Sequence, residues 1–360
     1  MKKTALKWMS LLILASLVLA ACAPATQVAP TATTAPTAAP TAAAPALKVC
    51  EVTDTGGVDD KSFNQTAWEG AQNAATDYGW EATFLESQQQ TDYEKNINEF
   101  VTSGCELIVT VGFLLGDATL AAAQANPDQK IQILDFAYAE ELPNVWQQVY
   151  ATDQAAFLAG YVAASVTKTG KVGTFGGINI PPVVDFMDGF AYGVAYYNEQ
   201  KGTAVEVLGW DPADREGGLF TGNFDSTDDG RRLAETLMDE GADIIMPVAG
   251  PVGLGSAAAI QERGNAWLVG VDTDWRLSAP EFAGIVLTNV LKKLNVSVQE
   301  AVAAIDAGTF TGGLHVASLE NDGVGINTDH ASITAETLAE LETIRAGIID
   351  GSIQTKPAAP

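Results

Sequence analysis

Two successive rounds of one alternation constrain this chain more than any other feature. Apolar runs at 47–52, 82–85, 107–111 and 131–134, with a shorter one near 145–149, are separated by helical patterns at 61–78, 91–103 and 115–125. After Asp153 the alternation restarts with helix 154–167, strand 171–175, helix 182–199, strand 204–209 and helix 227–239. Strand 243–248, helix 253–263, strands 266–271 and 284–288 and helix 291–307 follow. Strands alternating with helices of this length predict parallel sheets in doubly wound α/β units. Two such sets predict two lobes whose strand carboxyl ends face one crevice, the place where ligands bind to open α/β sheets. The last part is less regular: His315–Leu319, a turn at Asn321–Gly325, a helix from Ser332 to about Asp350, and a tail over 351–360.

The front end stands apart from this pattern. Lys2, Lys3 and Lys7 precede an apolar run from Trp8 to Ala21, too short for a comfortable membrane span. The run ends in Leu19-Ala20-Ala21-Cys22, which resembles a bacterial lipobox, so residues 1–21 read as a signal peptide cut before a lipid-carrying Cys22. Ala23 to Ala46 is Ala, Thr and Pro with one Gln and one Val and no charge, and it buries too little to fold. At about 3.1 Å per residue it reaches roughly 75 Å, a tether holding the folded part off a membrane that the acyl chains grip. The expected location is outside the cytoplasmic membrane. With 45 acidic against 19 basic residues the net charge is −26, and removing the leader's lysines deepens it. Such a field excludes nucleic acid as a partner. Cys50 and Cys105 remain; two buried thiols are the favoured reading, with a disulfide open if their strands are neighbours.

Chemistry is sparse. His315 and His330 are the only histidines, neither at metal-ligand spacing, and no G-x-S-x-G elbow occurs, so no catalytic group, metal or cofactor is expected. Gly250-Pro-Val-Gly253-Leu-Gly255 lacks the Lys-Ser/Thr of a phosphate loop and reads instead as a glycine turn, with Gly250 letting backbone approach an uncharged ligand. Five polar or aromatic residues recur at strand ends in both halves: Asp54, Phe113, Asp135, Phe224 and Asp272. After Asp54, Gly56-Gly57 turn the chain and Asp59 or Asp60 can cap a helix that carries Phe63 and Asn64 in its first turn. Each residue alone also fits a cap, turn or core role.

The stretch Val52-Thr-Asp-Thr-Gly-Gly-Val-Asp-Asp-Lys-Ser-Phe-Asn-Gln65 resembles the opening of the basic membrane protein family, purine-nucleoside-receptor-like lipoproteins that serve ABC importers. Gly112-Phe-Leu-Leu-Gly-Asp-Ala118, Asp153–Tyr161, Gly170–Gly177, Asn223-Phe-Asp225, Val269-Gly-Val-Asp272 and Val290-Leu-Lys292 match in order, so the resemblance spans about 47–350. It implies a type I periplasmic-binding-protein fold closing about a three-segment hinge. The lobes would be 47–152 with about 289–315, and 153–288 with about 316–350. It implies that Phe63 and Phe224 sandwich a base, that Asp272 and Lys292 hold ribose hydroxyls, and that Asp54, Asn64 and Asp135 surround the nucleoside. The implied partners are a nucleoside and an ABC permease, and the implied state is a monomer. Without the resemblance, Lys292 reads equally as a solvated helix residue. Where the family has a Gly-Gly-Thr-Gly-like loop this chain has Gly250-Pro251-Val252-Gly253, and Asn295 replaces a common Asp. A sugar receptor using Trp210, Trp267 or Trp275, a nucleoside hydrolase and a ligand sensor remain as alternatives.

Overall fold

The computed structural model describes residues 46–356. The expected signal segment, the expected lipidation site Cys22 and the expected tether up to residue 45 lie outside the described residues. In chain order the first half runs β1 (Lys48–Val52), α1 (Phe63–Tyr78), β2 (Glu81–Leu85), α2 (Tyr93–Thr102), β3 (Leu107–Val111), α3 (Gly116–Ala125), β4 (Lys130–Leu134) and β5 (Val145–Tyr150). The second runs α4 (Thr152–Val166), β6 (Lys171–Gly176), α5 (Pro181–Lys201), β7 (Glu206–Leu208), α6 (Thr227–Asp239), β8 (Ile244–Val248), α7 (Val252–Arg263), β9 (Trp267–Asp272), α8 (Trp275–Ser278) and β10 (Val286–Lys292). Then come α9 (Leu294–Asp306), β11 (Gly313–Ala317), β12 (Val324–Ile326) and α10 (Ala335–Ile349).

Local signals explain several boundaries. Gly79, at φ 69, closes α1 by donating its N–H to Ala75 O. Pro181-Pro182 opens α5, where the missing N–H is an orphan anyway and φ is already helical. Ser226 caps α6, its side chain accepting from Asp229 N.

The strands form two six-stranded sheets of identical layout, β11-β5-β4-β3-β1-β2 and β12-β10-β9-β8-β6-β7. Every pairing is parallel except β10 with β12, an antiparallel edge. The central strands β3 (LIVTV) and β8 (IIMPV) are buried at every position, as expected of parallel strands covered on both faces. Strand order reverses between β1 and β3 and again between β6 and β8, giving each lobe a switch point.

The chain passes between the sheets three times: at Ala151 after β5, at Lys293 after β10, and over 318–323 between β11 and β12. In the second lobe α4 and α5 lie backbone against backbone. A Cβ on Gly160 would meet Phe190 O at 2.1 Å, and one on Gly193 would meet Phe157 O at 2.0 Å.

Three features differ from the sequence reading. Strand β10 runs to Lys292 rather than stopping at 288, so the crossing lies at 293 and not near 289. Val290, Leu291, Leu294 and Val298 share a helical spacing that masks the strand's end. The favoured pair of free thiols is a disulfide, Cys50–Cys105, with Cα atoms 6.1 Å apart. The cause is the switch in strand order, which sets β1 directly beside β3, Val49 opposite Leu107. The stretch from 351, expected as a tail, instead packs as far as Lys356, with Thr355 buried.

The disulfide closes a loop of 55 residues. Chain entropy assigns such a link about 4 kcal/mol. Replacing both Cys50 and Cys105 by Ser is expected to lower the unfolding free energy by 2–4 kcal/mol, on the order of that estimate, in urea titrations. A loss below about 1 kcal/mol would show that the link does not stabilise the first lobe.

Candidate functional site

The carboxyl ends of both sheets face a single cleft whose free cavity is about 60 Å³. All nine residues expected from sequence line it: Asp54, Phe63, Asn64, Phe113 and Asp135 from the first lobe, and Phe224, Gly250, Asp272 and Lys292 from the second. Others were not foreseen. Asp60 is one, and Pro182, Val183 and Phe186 from the start of α5 form an apolar wall. A helix's first apolar turn carries no mark distinguishing a cleft wall from core, and in sequence Asp60 reads only as a cap.

The equal layout of the sheets places lining residues in matching pairs. Asp135 follows β4 and Asp272 ends β9, the same position in each sheet, and both have left-handed backbones, φ 69 and φ 68. Aspartate tolerates this region better than most residues, yet it remains uncommon outside glycine. Gly112 (φ 118) and Gly250 (φ 54) follow the matching strands β3 and β8. Tyr150 and Lys292 end β5 and β10.

Asp60, not Asp59, caps α1. Its Oδ1 accepts from Ser62 N (2.9 Å) and Gln65 N (3.0 Å), and its Oδ2 from Asn64 N (2.8 Å) and Asn64 Nδ2 (3.0 Å). Asn64 Nδ2 also donates to Asp54 Oδ1 at 2.8 Å, while Asp54 N donates to Asn64 Oδ1 at 3.2 Å. Asn64 thus locks the strand-end carboxylate to the helix start. Burial raises the Asp54 carboxyl above its usual range, opposed by the hydrogen bonds from Asn64 and Gly56. For Asp60 burial outweighs its N–H donors and pushes it up to about 7.

Two polar links bridge the lobes inside the cleft. Ser62 Oγ donates to Asp272 Oδ2 at 2.7 Å. Lys292, 2% exposed, pairs with Asp135. Its ammonium also lies 4.7 Å from the Phe63 ring centre, 4.8 Å from Tyr150 and 5.7 Å from Phe186, a cation–π cage. The helical, solvated reading of Lys292 is therefore wrong: it sits at a strand end, desolvated. Burial raises Asp272, with Lys292 and the Ser62 hydroxyl opposing.

The aromatics rest on glycines. A Cβ on Gly177 would fall 2.3 Å from the Phe224 ring, so that ring needs glycine beneath it. Phe113 packs at 5.0 Å on Phe136, itself 4.8 Å from Tyr138. Pro251 also lines the cleft, approaching Gly56, while Val252 is buried in the core behind it. The three tryptophans lie elsewhere. Trp210 Nε1 donates to Asp188, Trp275 is fully buried, and Trp267 meets His330 edge-on. His315 stacks on Trp146 at 3.5 Å, away from the cleft. Among the described residues no cluster of His, Cys, Asp or Glu is placed to hold a metal ion.

With this geometry established, comparison with known proteins identifies the family. Residues 47–357 match the Bmp family, described as ABC transporter substrate-binding protein, PnrA-like. The chain belongs to this family. The "ABC transporter nucleoside-binding protein BmpA" of Lactococcus lactis is 31% identical over 325 residues, covering 85% of this chain and 88% of its own. The "CD4+ T-cell-stimulating antigen" of Listeria monocytogenes is 30% identical over 324 residues, covering 85% and 87%. A solved ABC transporter solute-binding protein from Aeropyrum pernix shares 27% identity with a TM-score of 0.77, covering 86% of this chain and 92% of that one. As a Bmp-family member the chain is the substrate-binding component of an ABC transporter, with a small-molecule ligand and a permease partner. The family binds rather than catalyses. Among the described residues no helix is long and apolar enough to cross a membrane.

Asp60 yields a pH test. Between its unfolded value of 3.8 and about 7, the native protein keeps a proton that the unfolded chain has released. Its contribution is therefore full below about pH 4 and is lost as pH rises through 7. Stability is expected to fall across that window by on the order of 4 kcal/mol, and Asp60→Asn is expected to flatten the fall. Parallel urea-midpoint profiles for the two proteins would refute the assignment.

Proposed function

We propose that the cleft captures an uncharged nucleoside, with a purine the best fit, and presents it to the permease. The observation that carries this reading is the pairing of aromatic and acidic groups across the lobes. Phe63 comes from one side and Phe224 from the other, with Asp54, Asp60, Asp135 and Asp272 around a single ammonium. A purine offers two π-faces, and each stacked aromatic contributes about 1–3 kcal/mol. A ribose diol donates two hydrogen bonds to one carboxylate, a charge-assisted arrangement. Asp272 is suited to that, since its present donor, Ser62, is a neutral hydroxyl that a sugar hydroxyl can replace. Lys292, tied to Asp135, offsets the charge around the ribose. The nucleoside-binding relative from Lactococcus lactis agrees with this reading.

The same charges argue against phosphorylated ligands. Pro251 has no N–H, and the next three amides at the start of α7 are already used: Val252 N to Ala249 O (3.3 Å), Gly253 N to Gly250 O (3.0 Å) and Leu254 N to Pro251 O (3.0 Å). That helix start offers a phosphate no donors, and the ionised carboxyls around the cleft repel it. The wider reading is a lipid-anchored monomer, tethered through Cys22, whose lobes open and close about the three crossings.

Calorimetry of the ligand-stripped fragment from Leu47 tests both parts. Adenosine, guanosine or inosine is expected to bind tightly, ribose weakly, and the 5′-monophosphate at least a hundredfold more weakly than its nucleoside. Phe224→Ala is expected to weaken nucleoside binding more than tenfold, about 1.4 kcal/mol or more, without unfolding the protein. Unchanged affinity in that variant would sink the stacking role, and silence toward every nucleoside would discard the substrate.

A further inference from the structure

Beyond α10 the chain turns back on the second lobe. Gly351 takes φ 80, Ser352 N donates to Asp350 Oδ1 at 2.9 Å, and Ile353 N donates to Gly347 O at 2.9 Å. The buried Thr355 then donates its hydroxyl to Asp153 Oδ2. Lys356 Nζ lies 2.9 Å from Asp185 Oδ2 and 3.4 Å from Asp153 Oδ1. Neither Thr355 nor Lys356 lines the cleft.

Both carboxylates stand where the cleft is built. Asp153 is the second residue of α4, two past Ala151, the first crossing between lobes. Asp185 belongs to the opening of α5, the same stretch that sets Pro182, Val183 and Phe186 against the cleft. The two helices touch there, since a Cβ on Gly189 would lie 2.2 Å from Asp153 O. The Asp153 side chain is only 6% exposed, and its side-chain partners among the described residues are Thr355 and Lys356. A carboxylate this buried is costly to leave alone. One turn further along α5, Asp188 holds Trp210 Nε1 at 3.0 Å and Arg215, which starts the loop that runs on to Phe224. The tail thus ties directly into the element that carries one cleft wall and braces the loop to the other.

We propose that Thr355 and Lys356 form a strap that positions the cleft-facing start of α5 at the lobe crossing, a role that rests on the cleft being the ligand site. They are positioning residues: they act on ligand through Asp153 and Asp185, not by touching it. Burial raises Asp185 and Lys356 opposes that, in keeping with a carboxylate that leans on the strap for its charge.

Amide hydrogen exchange on the ligand-free chain, compared among wild type, Lys356→Met and Lys356→Arg, tests the strap without any ligand. Lys356→Met is expected to speed exchange over residues 183–190 at least tenfold while leaving β1 and β3 unchanged, and Lys356→Arg to restore protection. Thr355→Val is expected to give the same local signature at smaller size, and it serves if Lys356→Met does not fold. Equal exchange in wild type and variants overturns the strap, whatever the wild type binds. Titration with a purine nucleoside reads the second half: a three- to tenfold weaker affinity in Lys356→Met, regained in Lys356→Arg. Faster exchange with unchanged affinity overturns the positioning role. If the wild type binds no nucleoside, the ligand assignment fails by itself and the exchange result still decides the strap.

Discussion

Lys292 is a charge held almost out of water between two sheets, and much of the cleft is arranged around that fact. Its stem comes from the second lobe and its counter-ion, Asp135, from the first. Either partner left alone would be expensive, so the pair favours conformations in which the lobes meet. Phe63, Tyr150 and Phe186 supply ring faces that take the place of part of the lost hydration. The remaining carboxyls then have no cation to themselves. Asp272 makes do with a serine hydroxyl and Asp54 with an amide. Groups held by neutral, exchangeable donors are the ones an uncharged polyhydroxyl ligand can take over.

The repetition of one layout in both sheets explains how so many groups converge. A strand end that breaks into the left-handed region aims the following chain away from its sheet. The break occurs with an aspartate at the same strand of each lobe and with a glycine at the same neighbouring strand. The lobes are not copies in chemistry, however. The first contributes most of the polar network, through Asp54, Asp60 and Asn64. The second contributes the apolar wall of α5 and the ring of Phe224, which lies on Gly177 with no space between.

Much of this was legible in the chain itself because the signals are local. Strand and helix periods are written over a few residues, and an Asp that closes an apolar run marks a strand's carboxyl end directly. Asp54, Asp135 and Asp272 were found that way. The roles proposed for Phe63, Asn64 and Lys292 rest on the family resemblance, while their place at the cleft comes from the fold. What stayed hidden depends on long-range placement. Strand order decides whether Cys50 and Cys105 meet, and spacing does not encode strand order. The end of β10 is disguised by apolar residues at helical intervals. The docking of Thr355 and Lys356 has no periodic trace at all, because one hydroxyl and one ammonium finding buried carboxylates leaves no pattern in sequence.

The crossings between lobes have a mechanical consequence. Two of them, at Ala151 and Lys293, are single residues between a strand and a helix, and the third spans 318–323. Connectors that short favour rotation of one lobe against the other over sliding or independent tumbling. The molecule is left with essentially one soft coordinate. In the proposed reading, each contact that a ligand makes with both lobes holds that coordinate closed, so the same contacts that capture it also slow its release.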